Sequence, residues 1–179
     1  MDYMFILTQI IGAIGYLTLS ASYYKKNKKD ILFIQIISYI FFTVHYYMLD
    51  GKTGAMCNLL GLIAFVIIYF FDKYKVKNKK ILTICIIPFL IIISLITYEN
   101  AFSVFPIIAS VFAILSFISN DENKIRGIGI VAAICWSVYA IVYKSYVAII
   151  FETITLIATI IAFIKNLKGN KEKIKQGNK

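Results

Sequence analysis

Apolar residues gather into seven runs divided by short polar segments: Met4–Tyr24, Ile31–Leu49, Thr53–Phe71, Ile81–Tyr98, Ala101–Ser119, Ile125–Tyr143 and Tyr146–Ile164. Most are about 19 residues long, so as helices they extend roughly 28 Å, against a hydrocarbon core of about 30 Å. Backbone groups in lipid must pair within their own segment, and at this length that selects helix over strand. Buried helices of a large soluble protein would need far more polar chain to cover them. The pattern predicts an all-α polytopic membrane protein with seven transmembrane helices.

The polar connectors orient the runs. Of the 19 lysines and arginines, 17 fall on one side, in KKNKK, KYKVKNKK, NDENKIR and the lysine-rich end; the other side carries 2, Lys52 and Lys144. The positive-inside bias then predicts the N-terminus outside and the C-terminus in the cytoplasm. In a chain 60% hydrophobic and 16% charged, this clustering also accounts for the net charge of +10. The lysines neither line one helix face nor interleave with aromatics, so nucleic acid is not an expected partner, whereas the lipid bilayer is. The first run lacks a basic segment before it and reads as a retained helix, not a secretory signal.

Two stretches lie over one another at a constant offset of 94: HYYMLDGKTGAMCNLL from His45 and YAIVYKSYVAIIFETI from Tyr139. Both read as helix end, short basic turn, small residue, polar residue and apolar run. Upstream, QIIGAIGY from Gln9 pairs with PIIASVFA from Pro106 at an offset of 97, the change falling in a loop where length is tolerated. Runs one to three and five to seven thus form two three-helix units, and the run between them restores a common direction. The expectation is a 3+1+3 parallel repeat: residues 1–75 a first bundle, 76–100 a linker helix, 101–168 a second bundle, and 169–179 a disordered basic tail.

The register places Glu152 on Asn58. Glu152 lies six residues in from Tyr146, about 9 Å below the outer end. An ionised carboxylate at that depth is costly, and intramembrane acids are functional-site candidates by default. Ala148, Glu152, Thr155 and Thr159 share one helix face, as do Gly54, Asn58 and Gly61. Close packing explains the glycines and threonines; a cavity explains Glu152. His45, Gln9 and Trp136 reach a similar depth, with Tyr139 in the His45 register and Tyr46 beside it. His45 reads either as a ring bonded to a backbone carbonyl or as a ligand group, Trp136 as a stacking surface, and Gln9 as a substrate or interhelix contact. Gln35, Ser20 and Ser22 lie nearer the other end, where an inner gate would form.

The three cysteines sit inside apolar runs without metal-ligand spacing and read as packing residues, and one histidine argues against a metal site. No catalytic set, phosphate loop or cofactor motif is present, so neither an enzyme nor a cofactor is expected.

Gln9–Gly12, HYYMLDG from His45, Asn58, Pro106, Trp136 and Glu152 resemble the YgjV-type bacterial inner-membrane protein family, from about Gln9 to Lys168. That family resembles the PQ-loop superfamily, which includes SWEET sugar transporters, PnuC vitamin transporters and the KDEL receptor. The resemblance implies an inner-membrane location, the seven-helix fold and a site between the bundles. In SWEET proteins an asparagine from the third helix of each bundle faces the substrate; Asn58 matches, whereas Glu152 departs, and the proline–glutamine dipeptide is absent. Two functions are expected: a transporter or facilitator of a small polar solute by alternating access, or a non-transporting receptor or assembly factor on the same fold. A homo-oligomer is compatible with either.

Overall fold

A computed structural model describes residues 3–22, 24–25, 28–76, 80–118 and 122–177. Among these there are seven α-helices: α1 (Tyr3–Ser22), α2 (Lys28–Met48), α3 (Lys52–Lys73), α4 (Lys80–Ile96), α5 (Val104–Ile118), α6 (Glu122–Val142) and α7 (Tyr146–Gly177). Each coincides with an apolar run. The described parts of α1, α2 and α3 are long and apolar enough to cross a membrane, and those of α4 to α7 give shorter apolar helices. α7 continues to Gly177, through the stretch expected to be a disordered tail. Its lysines, glutamate and glutamine favour helix, and extension of a formed helix needs no new nucleation.

Tight turns join α2 to α3 and α6 to α7. Each contains a non-glycine residue in the left-handed region, Asp50 at φ 59° and Lys144 at φ 54°. The backbone bonding repeats with them. Gly51 N–H donates to Tyr46 O and Ser145 N–H to Ala140 O, both at 2.9 Å; Ala55 N–H donates to Gly51 O at 2.9 Å and Ile149 N–H to Ser145 O at 3.0 Å. These donors and acceptors are 94 positions apart, as are the two left-handed residues. Between α4 and α5, Asn100 Oδ1 accepts from Phe102 N–H at 2.9 Å and starts a one-turn 3-10 helix, Ala101–Ser103, that leads into α5.

The helices close a ring. α1 packs on α2 and α2 on α3; α5 packs on α6 and α6 on α7; α3 meets α5, and α1 meets α7. α4 packs against α3 and α5. One core cluster joins Cys57, Leu60 and Ala64 to Leu90, Ile107 and Ile114; another joins Tyr16 and Phe42 to Ala140 and Ala148. Large apolar side chains point outward from each helix, among them Leu17, Phe33, Ile63, Phe89, Ile108, Ile134 and Ile157. An outer surface of this kind suits lipid and would be unstable in water. Cys57 and Cys135 are buried as packing residues, whereas Cys85 is exposed.

Candidate functional site

A cavity of about 360 Å³ lies inside the ring, within the range of roughly 300–1,000 Å³ typical of small-molecule sites. Glu152 on α7, Asn58 on α3 and Trp136 on α6 line it, together with Tyr16 of α1 and Gln35 and Tyr46 of α2. It continues along Leu19, Gly129, Thr155 and Thr159 toward the lysine-rich end of the helices. The lining includes none of the turn residues 51–53 or 143–145.

Glu152 is half-buried, and its Oε1 accepts the Tyr16 hydroxyl at 3.0 Å. Tyr16 is fixed by stacking on Phe151 at 5.0 Å and tilting on Phe42 at 4.7 Å. Asn58 is buried and donates through Nδ2 to Gly54 O at 2.9 Å within its own helix. Thr155 and Thr159 belong to the lining, so the face read as a packing stripe borders the cavity along its length. Gly54 and Gly61 do pack: a Cβ on either would strike the ring of Tyr139 or Tyr39.

Three expected site residues lie off this lining, each with its polar atoms engaged elsewhere. The His45 ring is fully buried, with Nδ1 2.7 Å from Thr8 O and Nε2 2.6 Å from Ser145 Oγ. It crosses from α2 to both α1 and α7, and a Cβ on Gly12 would come within 2.7 Å of it. Gln9 donates to Lys144 O and accepts from Val147 N–H, both at 3.2 Å, so it caps the start of α7 from α1. Tyr139 is fully buried, and its hydroxyl accepts from Gly54 N–H at 2.9 Å. Their depth follows from residue counting; their facing depends on which helices neighbour them. Ser22, expected near an inner gate, donates to Leu19 O at 2.6 Å within α1.

The turn end is closed by these residues and others. Tyr46, Trp136, Tyr139 and Tyr143 form a continuous aromatic column, with centroid distances of 5.4 Å for Tyr46–Trp136 and Tyr46–Tyr139 and 4.5 Å for Tyr139–Tyr143. The Tyr143 hydroxyl donates to Glu99 Oε2 at 2.9 Å and accepts from Asn100 Nδ2 at 3.2 Å. Thr53 N–H, in the first turn of α3, donates to the same Glu99 oxygen at 3.5 Å. A carboxylate there complements the helix N-terminus, where Gly51 offers no side-chain cap. The Thr53 hydroxyl donates to Thr97 O and lies 3.0 Å from Ser103 Oγ.

Sequence reasoning missed Tyr16 as the partner of Glu152. A tyrosine one residue after Gly15, on a helix whose Thr8 and Gly12 are also buried, was the available signal. Gln35 was read only as gate material, and it lines the main cavity.

No curated protein and no solved structure matches the chain. The profile of the Imp-YgjV family, described as bacterial inner membrane protein, matches residues 6–169, and on that match the chain belongs to this family of bacterial inner membrane proteins.

Proposed function

We propose that the protein moves a small polar solute across the inner membrane by alternating access between two three-helix bundles, α1–α3 and α5–α7, linked by α4. The carrying observation is the cavity between the bundles, lined by Glu152 from one and Asn58 from the other and closed toward the turns. Its extension toward the lysine-rich end supports reading this as an inward-facing state, in which that end lies in the cytoplasm and the N-terminus outside. The column from Trp136 to Tyr143 is the outer gate.

An internal 3+1+3 repeat underlies the mechanism. Matching turns 94 residues apart support it. So does the ring's connectivity: exchanging α1 with α5, α2 with α6 and α3 with α7 turns the α3–α5 contact into the α7–α1 contact. Rocking of one bundle against the other would then open the turn end as the lysine-rich end closes.

The solute binds Glu152 and Asn58 and stacks on Trp136; His45, Gln9 and Tyr139 belong to the site as residues that seal and position it. The chemistry is binding and release, with no catalytic step. Uptake into proteoliposomes of a solute that stabilises the purified protein tests the reading, with Glu152→Gln expected to abolish uptake while folding normally. Binding without flux would move the protein to the second reading, a receptor or assembly factor in which Glu152 holds a partner's basic group.

A further inference from the structure

The charge of the cavity lining is one-sided. Its lining holds the Glu152 carboxylate, and no lysine, arginine or histidine is among the described residues that form it. Tyr16 reaches only Oε1 of that carboxylate, which has room for several more donors. Gln35 is 7% exposed, and its Oε1 is buried without a hydrogen-bond partner. Asn58, 4% exposed, uses Nδ2 on Gly54 O and lines the same space. The Glu152 carboxylate of α7 and the amide side chains of Gln35 on α2 and Asn58 on α3 thus border one space whose described lining supplies no positive charge.

Buried acceptors left empty are costly, and an intramembrane carboxylate ordinarily has a partner. The walls add aromatic faces from Tyr39, Phe42, Phe65 and Trp136, which attract cations. With Glu152 ionised, an anion would meet uncompensated charge and a neutral polyol would leave the carboxylate unbalanced.

We propose that the cavity binds a small organic monocation bearing N–H donors, of the primary ammonium or amidinium class. Its charge pairs with Glu152, and its N–H groups reach the oxygens of Gln35 and Asn58. The inference rests on the reading of this cavity as the solute site.

Trp136 is the only tryptophan of the chain and lines the cavity, so its fluorescence reports occupancy directly. Purified full-length protein is titrated with benzylammonium and acetamidinium, their neutral counterparts benzyl alcohol and acetamide, and tetramethylammonium, which lacks N–H. The expected result is a saturable change with the first two. The neutral compounds should bind at least roughly tenfold more weakly, and tetramethylammonium should fall between. Glu152→Gln should weaken the cations to the level of the neutral compounds, and Gln35→Leu should weaken acetamidinium several-fold. Equal binding of cations and neutral counterparts, or no saturable signal with either cation, overturns the proposal without requiring any variant to fold. Saturable cation binding with no flux in proteoliposomes removes transport and leaves the cation site. Uptake of a neutral solute that Glu152→Gln abolishes, with no cation binding, removes the cation site and leaves transport.

Discussion

The Tyr16 hydroxyl donates to the Glu152 carboxylate across 3.0 Å, joining α1 to α7 between residues 136 positions apart. The bond spans the α1–α7 contact, one of two seams between the proposed bundles. It therefore couples the acid to the surface along which the proposed rocking motion occurs. Tyr16→Phe keeps the ring on Phe42 and Phe151 and removes only the donor. We expect a loss of about 1 kcal/mol in stability and a several-fold change in benzylammonium affinity. A variant unchanged in both, by unfolding midpoint and Trp136 titration, would show the bond to be incidental.

On the proposed repeat, one slot is filled in two ways. His45 and Tyr139 are 94 positions apart, as are Gly51 and Ser145. The smaller imidazole leaves room for Ser145 Oγ at 2.6 Å; the larger phenol needs glycine, and a Cβ on Gly51 would lie 2.9 Å from its hydroxyl. His45→Ala removes a fully buried ring and both its bonds, and should cost about 2–4 kcal/mol. Because His45 is outside the cavity lining, solute affinity of the folded fraction should stay within about twofold of wild type. A selective loss of affinity at unchanged stability would move His45 into the binding set.

Gly54 carries the tightest fit of the proposed outer gate. Its N–H donates to Tyr139, and an added Cβ would strike the same ring. Gly54→Ala should force the aromatic column apart at a cost of about 1–3 kcal/mol, while Tyr139→Phe loses one hydrogen bond and about 1 kcal/mol. The former should also admit a water-soluble thiol reagent from the turn side to Asn58→Cys, which wild-type packing blocks. Equal protection in both backgrounds would mean that the column is not the barrier.

The charge asymmetry predicts topology. A fluorescent reporter that matures only in the cytoplasm, fused after Lys179, should light up, and an export-dependent reporter at the same place should stay inactive. The opposite result would invert the assignment of inner and outer gates.

The helices were legible because an apolar run of membrane length admits one backbone solution. The likeness of the two turns was legible in the offset of 94, and both hold a left-handed residue, Asp50 in one and Lys144 in the other. Rotation about each helix axis was not. Gln9, His45 and Tyr139 share a depth with Glu152 yet face neighbouring helices, since a residue count fixes height and only the ring order fixes facing. Tyr16 was hidden for the same reason: nothing in α1 alone says that α7 closes the ring beside it. The helical end of α7 was missed because composition was read without the formed helix that leads into it.

The proposed function requires that the Glu152 carboxylate face an aqueous space inside the helix ring. In a background with Cys57, Cys85 and Cys135 replaced by alanine, Glu152→Cys and Thr155→Cys are compared with Ile154→Cys, whose side chain is 58% exposed on the outer surface. A charged thiol reagent applied from the lysine-rich side should modify positions 152 and 155 and leave 154 unreacted. Modification of 154 with 152 and 155 inert would place the acid against lipid and contradict the account.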